Sequence, residues 1–123
     1  MALPWRVVWV TGASSGIGLE LARQLAEAGV TVAVSSRSAP RQPLPANVVH
    51  FPLDVTDSAS GERCVATIET QLGPIDLAVL AAGRYEPFQA GALTAENFTA
   101  CNAVNYLGVT HCIAALAPRM MKR

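Results

Sequence analysis

Short apolar runs alternate with segments of helical periodicity along the chain. Val7, Val8, Trp9 and Val10 are apolar on both sides, the pattern of a strand inside a parallel sheet. From Ile17 onward Ile17, Leu21, Leu25 and Ala28 recur every three to four positions, with Glu20, Arg23, Gln24 and Glu27 between them. That spacing predicts an amphipathic helix closed by Gly29. A second strand is expected over Thr31 to Ser35. Ser36 to Asn47 carries Pro40, Pro43 and Pro45, too closely spaced for a helix. Val48 to Phe51 reads as a third strand. Asp57 caps a helix whose apolar face is Cys64, Val65, Ile68 and Leu72, stopped by Gly73 and Pro74. Ile75 to Ala81 forms a fourth strand, followed by a glycine-punctuated loop from Gly83 to Leu93. Thr94 caps a last long helix running to about Pro118.

This alternation predicts an α/β chain: a doubly wound parallel sheet covered by helices, with its ligand site beyond the carboxyl ends of the strands. The distinctive polar clusters fall at those ends: Thr11 to Gly18, Ser35 to Arg37, Asp54 with Val55, and Ala82 with Gly83. No repeat or low-complexity tract interrupts the pattern, and 123 residues suit a single domain.

Composition narrows the partners. Hydrophobic residues are 51% and charged residues 15%, against about 25% charged in a typical domain, which excludes a disordered chain. Nine basic and nine acidic residues cancel, so no net charge favours nucleic acid. Cys64, Cys101 and Cys112 lack metal-ligand or framework spacing; they read as buried packing residues in a reducing, cytoplasmic protein. His50 and His111 have no Asp or Cys at ligand spacing, so no metal site is expected. The start of the chain does not read as a signal peptide. Asn97 to Pro118 has no charged residue, yet Asn97, Thr99, Asn102, Asn105, Thr110 and His111 make it too polar for lipid; it reads as a helix buried against protein rather than a membrane span.

The chemistry centres on Thr11-Gly12-Ala13-Ser14-Ser15-Gly16-Ile17-Gly18, between the first strand and first helix. Its glycine spacing is neither G-x-G-x-x-G nor a nucleotide-triphosphate loop. Glycines here permit a tight turn and close backbone approach, and the helix start offers free N–H groups and a positive dipole end to a pyrophosphate.

With this loop, the Asp54-Val55 pair, the Ala81-Ala82-Gly83 turn and Asn105 within Val104-Asn105-Tyr106-Leu107-Gly108, the chain resembles the short-chain dehydrogenases/reductases, in their common subclass, over essentially its whole length. The resemblance implies a Rossmann sheet and a bound NAD(H) or NADP(H). It implies that Gly12, Ser14, Ser15, Ile17 and Gly18 line the phosphates and adenosine ribose. Asp54 would accept from the adenine amino group with the Val55 backbone beside it, and Ala82 and Gly83 would border the ribose nearest the nicotinamide. Ala81 replaces the Asn usual at the first position of that turn, a residue that mainly braces the sheet. Asn105 would be the catalytic-site residue, sitting mid-helix and anchoring a water chain; Asn102 reads as an ordinary exposed position.

The family's proton-transfer pair, a Tyr with a Lys four residues later, is absent. Tyr85 is followed four places on by Gln89, Tyr106 by Thr110, and the only lysine is Lys122. Residues 1–123 therefore read as a dinucleotide-binding half-domain, truncated after the fourth strand and its helix, and inactive alone. Cut there, it is expected to expose a strand edge and an apolar helix face and to self-associate; the complete protein would be a homo-oligomer acting on a small carbonyl or alcohol substrate. The rival reading is a non-catalytic dinucleotide-binding or interaction module. A methyltransferase fits poorly, since it would want an acidic ribose clamp where Ser36 and Arg37 stand.

Cofactor choice is set at that same place. A carboxylate there would favour NAD. Ser35, Ser36 and Arg37 predict NADP instead, the serines donating to the 2′-phosphate and Arg37 meeting it with its fork of N–H groups.

Overall fold

A computed structural model describes residues 2–87 and 89–123. Four strands form one parallel sheet in the order β3-β2-β1-β4: β1 (Val7–Thr11), β2 (Thr31–Ser36), β3 (Val48–Pro52) and β4 (Leu77–Leu80). Helix α1 (Gly16–Glu27) follows β1, and α2 (Ser58–Leu72) follows β3. After β4 a single 3-10 turn (Ala90–Ala92) precedes a continuous helical run: α3 (Ala95–Asn102), a π-helical segment (Ala103–Gly108) and α4 (Val109–Met121). The predicted α/β class and doubly wound sheet are what the chain adopts.

Strand pleating explains the two-sided apolar runs. Val8, Val10, Val32 and Val34 pack on one face with Ala22, Leu25 and Ala26 of α1. Val7, Trp9, Ala33 and Phe51 point to the other, against Cys64, Val65 and Ile68 of α2 and Cys112, Ala115 and Leu116 of α4. Alternate side chains of one strand thus enter two separate cores, so a central strand such as β1 has no polar face to show. The chain runs outward from β1 through β2 to β3, then returns to place β4 on β1's other side. That reversal opens a crevice at the carboxyl ends of β1 and β4.

The caps act as expected. The Asp57 carboxylate accepts from the Ala59 N–H at 3.1 Å, and the Thr94 hydroxyl accepts from Asn97 N–H at 3.1 Å. Other expectations need correction. The buried face of α1 is Gly18, Leu19, Ala22, Leu25 and Ala26, whereas Ile17 is 88% exposed. The face is set by which residues meet Val10 and Val32, and the helix begins one residue before Ile17. Strand β4 starts at Leu77, two residues later than Ile75; just before it the Asp76 carboxylate accepts the Arg6 and Val7 amides at 2.7 and 3.0 Å. The last helix continues past Pro118 to Met121. Arg119 and Arg123 tie that final turn to Glu69 of α2 at 3.2 and 2.8 Å.

The largest departure concerns the final helical run. Ala95–Met121 is long and apolar enough to cross a membrane by length and composition, but only 22% of its most apolar stretch is buried here. This differs from the helix buried against protein that its sequence predicts. Gly108, Cys112, Ala115 and Leu116 are buried, while Phe98, Tyr106, Leu107 and Ile113 face outward. Cys64 and Cys112 are buried as expected, but Cys101 is only half-buried.

Candidate functional site

The glycine loop follows from backbone constraints at its ends. Gly12 and Gly16 have φ of +69° and +62°, the left-handed region that costs glycine least. At Gly12 a Cβ would also lie 2.7 Å from the Ala81 carbonyl oxygen and the Ala82 backbone; at Gly18 it would lie 2.5 Å from the Gly12 carbonyl oxygen. The loop is therefore stacked backbone on backbone, between the Ala81-Ala82 turn on one side and the first turn of α1 on the other. The Gly12 N–H donates to the Ser35 carbonyl at 2.9 Å, and the Ala82 N–H donates to the buried Thr11 hydroxyl at 3.2 Å. Ends of three strands are so pinned around one point.

Ser15 occupies the N-cap of α1, yet its hydroxyl makes no capping bond, and no acidic residue lies in the first turn. The helix start keeps its amide donors and its positive end for something else. Ile17 stands exposed beside them, an apolar surface outside the core.

Around this loop the structure gathers Gly12, Ser14, Arg37, Asp54, Val55, Ala82 and Gly83 along one crevice of about 830 Å³. Ser15 faces an adjoining groove and Gly18 lies buried beneath Gly12. Asp54 is exposed; one carboxylate oxygen accepts from the Thr56 hydroxyl at 2.6 Å and from the Thr56 N–H at 3.0 Å. Those two bonds, with a smaller contribution from nearby Arg37, outweigh burial and hold its pKa below the usual carboxylate range. Asp54 therefore stays ionised near pH 7. Val55 is fixed from behind: its carbonyl bonds His111 Nδ1 at 2.8 Å, and its side chain lies where a Cβ on Gly108 would come within 2.7 Å.

Asn105 lies in the π-helical segment, a distortion often found at functional positions. Its amide oxygen accepts from the Arg84 N–H at 2.6 Å and its amide nitrogen donates to the Arg84 carbonyl at 2.8 Å. Against the expectation of a buried helical stretch, Asn105 is exposed, and both ends of its amide clamp the loop after β4.

The serine part of the cofactor expectation does not survive the geometry. Ser35 is fully buried: its hydroxyl accepts from the Trp9 indole N–H at 2.9 Å and sits 3.4 Å from Cys64 Sγ. Position 35 points inward because strand alternation sends it into the same core as Trp9 and Ala33. Ser36 donates its hydroxyl proton to the Ser38 carbonyl at 2.6 Å, so it accepts from His50 Nε2 at 3.0 Å. Burial lowers the His50 pKa, partly offset by a hydrogen bond to the Ser36 backbone, and the ring stays neutral near pH 7. Neither serine offers a free donor in this arrangement; Arg37 does, since it is exposed and joins no ion pair among the described residues. Thr11, Thr56 and His111 carry structural duties here that the pattern of apolar and polar positions does not announce, because each depends on a partner far away in sequence or on side-chain direction.

Residues 6–123 match the family described as short chain dehydrogenase. The chain is 34% identical over 129 residues to mouse dehydrogenase/reductase SDR family member 7, covering 95% of this chain and 38% of the relative. It is 34% identical over 126 residues to 2,3-dihydro-2,3-dihydroxybenzoate dehydrogenase of Bacillus subtilis (strain 168), covering 96% and 48%. Among solved structures it resembles gluconate 5-dehydrogenase from Burkholderia cenocepacia J2315 in complex with NADP and tartrate, at a TM-score of 0.84 and 28% identity, covering 99% of this chain and 51% of that one. The chain belongs to the short-chain dehydrogenase/reductase family, and spans about half or less of these relatives' lengths.

Proposed function

We propose that residues 1–123 are the dinucleotide-binding half of an NADP(H)-dependent oxidoreductase acting on a small carbonyl or alcohol substrate. The observation that carries this reading is the stacked glycine loop opening onto a crevice that Arg37 lines without an ion pair among the described residues, while its two carboxylates, Asp54 and Glu86, are engaged by Thr56 and Arg84. A bound nicotinamide would supply hydride chemistry at the substrate carbon. The chain's own residues bind and orient. Gly12, Gly18, Ser14, Ser15 and Ile17 would hold the pyrophosphate and ribose against the start of α1. Asp54, kept ionised, would accept from the adenine amino group beside Val55, and Ala82 and Gly83 would border the second ribose. Asn105 would hold the Arg84 loop next to that ribose, and would serve as the inner end of a proton path.

Arg37 would meet the 2′-phosphate with two N–H groups. The NADP held by the Burkholderia relative supports this choice, and the dehydrogenase and reductase names of the relatives favour an enzyme over a purely binding module. The unpaired cysteines suit a reducing cytoplasm, and the outward face of α3 and α4 suits a homo-oligomer of the complete protein. The test is the ratio of NADPH to NADH affinity in the full-length protein. A charge-assisted contact of about 1.5–3 kcal/mol predicts roughly ten- to a hundredfold preference for NADPH, lost in Arg37→Ala. A preference for NADH, or a ratio unmoved by the substitution, overturns the reading. The 123-residue chain alone, having no Tyr-x-x-x-Lys, is expected to reduce no carbonyl compound with NADPH; measurable turnover over a ketone and aldehyde panel contradicts that.

A further inference from the structure

Val55 lies between β3 and α2, yet its support comes from neither. Its neighbours are tied within the turn. The Asp54 carboxylate accepts from Thr56, the Asp54 N–H donates to the Ser60 hydroxyl at 3.3 Å, and the Asp57 N–H donates to the Asp54 carbonyl at 3.1 Å. Val55 takes no part in that network. Its carbonyl pairs with His111 Nδ1 of α4 at 2.8 Å, the one hydrogen bond of the Val55 main chain among the described residues. A carbonyl oxygen only accepts, so Nδ1 carries the proton and the imidazole is the donor. Gly108 meets the same residue from the side: a Cβ there would lie 2.7 Å from Val55 Cγ2 and 3.0 Å from Val55 Cβ. Gly108 and His111 are three residues apart and share one face of the helical run. Gly61 of α2 closes in on the other side of His111, where its Cβ would lie 3.5 Å from the His111 carbonyl oxygen.

Val55 and Asp54 both line the crevice, whereas His111 stands behind them, half-buried and outside its lining. The Val55 N–H has no partner among the described residues and stands next to the ionised Asp54 carboxylate. We infer that His111 is a positioning residue for adenine recognition: by holding the Val55 carbonyl from α4, it fixes the direction of the Val55 N–H beside Asp54. This rests on the proposed dinucleotide reading and extends it to a side chain that touches no ligand. A carboxylate acceptor beside an N–H donor complements the adenine edge, which carries an amino donor next to a ring-nitrogen acceptor. Hypoxanthine inverts both groups, with a carbonyl next to a ring N–H. A donor held in place before binding also avoids the ordering cost of a mobile turn.

The experiment compares calorimetric affinities of the full-length protein for NADPH and for its hypoxanthine analogue. Wild type is expected to favour NADPH by about tenfold. His111→Phe keeps a planar ring without the N–H, and His111→Ala removes both. Each should cut that preference about fivefold through weaker NADPH binding, with the analogue moving less than about twofold. His111→Asn puts an amide N–H near the place of Nδ1 and should restore the preference to within about twofold of wild type. An unchanged preference in His111→Phe overturns the inference. So does an equal loss for both ligands, or a His111→Asn protein no better than His111→Phe, since the imidazole would then only fill space between α2 and α4. A wild type that binds both ligands equally, or neither, overturns the placement of adenine on Asp54 and Val55, and the role of His111 falls with it.

Discussion

The two sides of β1 are built to different standards. Toward β2 and α1, Val8, Val10, Val32 and Val34 are fully buried and Gly18 of α1 sits backbone against backbone on Gly12. Toward β4, every strand residue is only half-buried, and the helical run beyond it turns Phe98, Tyr106 and Ile113 outward. Packing fixes the first side; on the second, individual polar contacts do so, namely the Asn105 clamp on Arg84, the His111 bond to Val55, and the Glu69 hub. The first side needs few polar ties because two strands and a helix already exclude water from it. The second has one strand neighbour and is held point by point, with backbone-on-backbone packing where Ala81 and Ala82 meet Gly12.

The comparison breaks most sharply at glycine. In Gly12→Ala the new methyl must enter 2.7 Å from Ala81 and Ala82 backbone while the residue keeps φ near +69°. We expect a loss of about 2–4 kcal/mol in denaturant unfolding. Gly91→Ala, in the single turn after β4, meets nothing within 4 Å and should stay within about 0.5 kcal/mol of wild type. Similar losses for both would mean that the glycine loop is no more constrained than the far side.

A smaller contrast concerns Trp9 and Ile113. Ser35→Ala removes the acceptor of the buried Trp9 indole N–H and should cost about 1–3 kcal/mol. Ile113→Ala, at 49% exposure, should cost less than about 1 kcal/mol in a monomer. Should the complete protein be the proposed oligomer with this face covered, the Ile113→Ala loss rises and the midpoint becomes concentration-dependent, which analytical ultracentrifugation of the two variants would separate.

Much of this asymmetry is legible in sequence, and the illegible part has a physical cause. Valine runs bounded by glycine and proline mark the strands, and the positions of Gly12, Asp54 and Gly83 at strand ends mark the crevice, because those signals are local. Ser35 misleads because its neighbours Ser36 and Arg37 are polar: whether a strand-end serine faces ligand or core depends on register, and the pairing of Ser35 with Thr11 on β1 sends it toward Trp9. Asn105 stands out as an asparagine in a helical stretch, yet its exposure and its partner Arg84 depend on a π-helical turn that periodicity does not encode. The apolar content of Ala95–Met121 suggests burial without saying by what, and in this structure α2 covers only the stripe through Cys112 and Leu116.

The finest contrast is in pH dependence. Burial alone would raise the Glu69 pKa, but the Ile75 N–H at 2.7 Å and the Arg123 and Arg119 guanidinium groups outweigh it, and the net shift is downward. A carboxylate with a depressed folded-state pKa contributes stability that is fully present above its unfolded value, about 4.3, and is lost as pH falls through the folded value. Asp54 is shifted in the same direction, by Thr56 first, yet it is exposed and its bonds stay within one turn. Glu69 by contrast joins α2, the entry to β4 and the end of α4, so its protonation loosens the β4 side specifically. Glu69→Gln should therefore cost about 1 kcal/mol at pH 7 and flatten the acid limb of stability between pH 5 and 3, roughly. Asp54→Asn should leave that limb nearly as steep as wild type. Thermal unfolding followed across this range decides it. A limb flattened by Asp54→Asn and untouched by Glu69→Gln would place the acid-sensitive tie at the cofactor edge, and the β4 side would then not be the one held by its polar contacts.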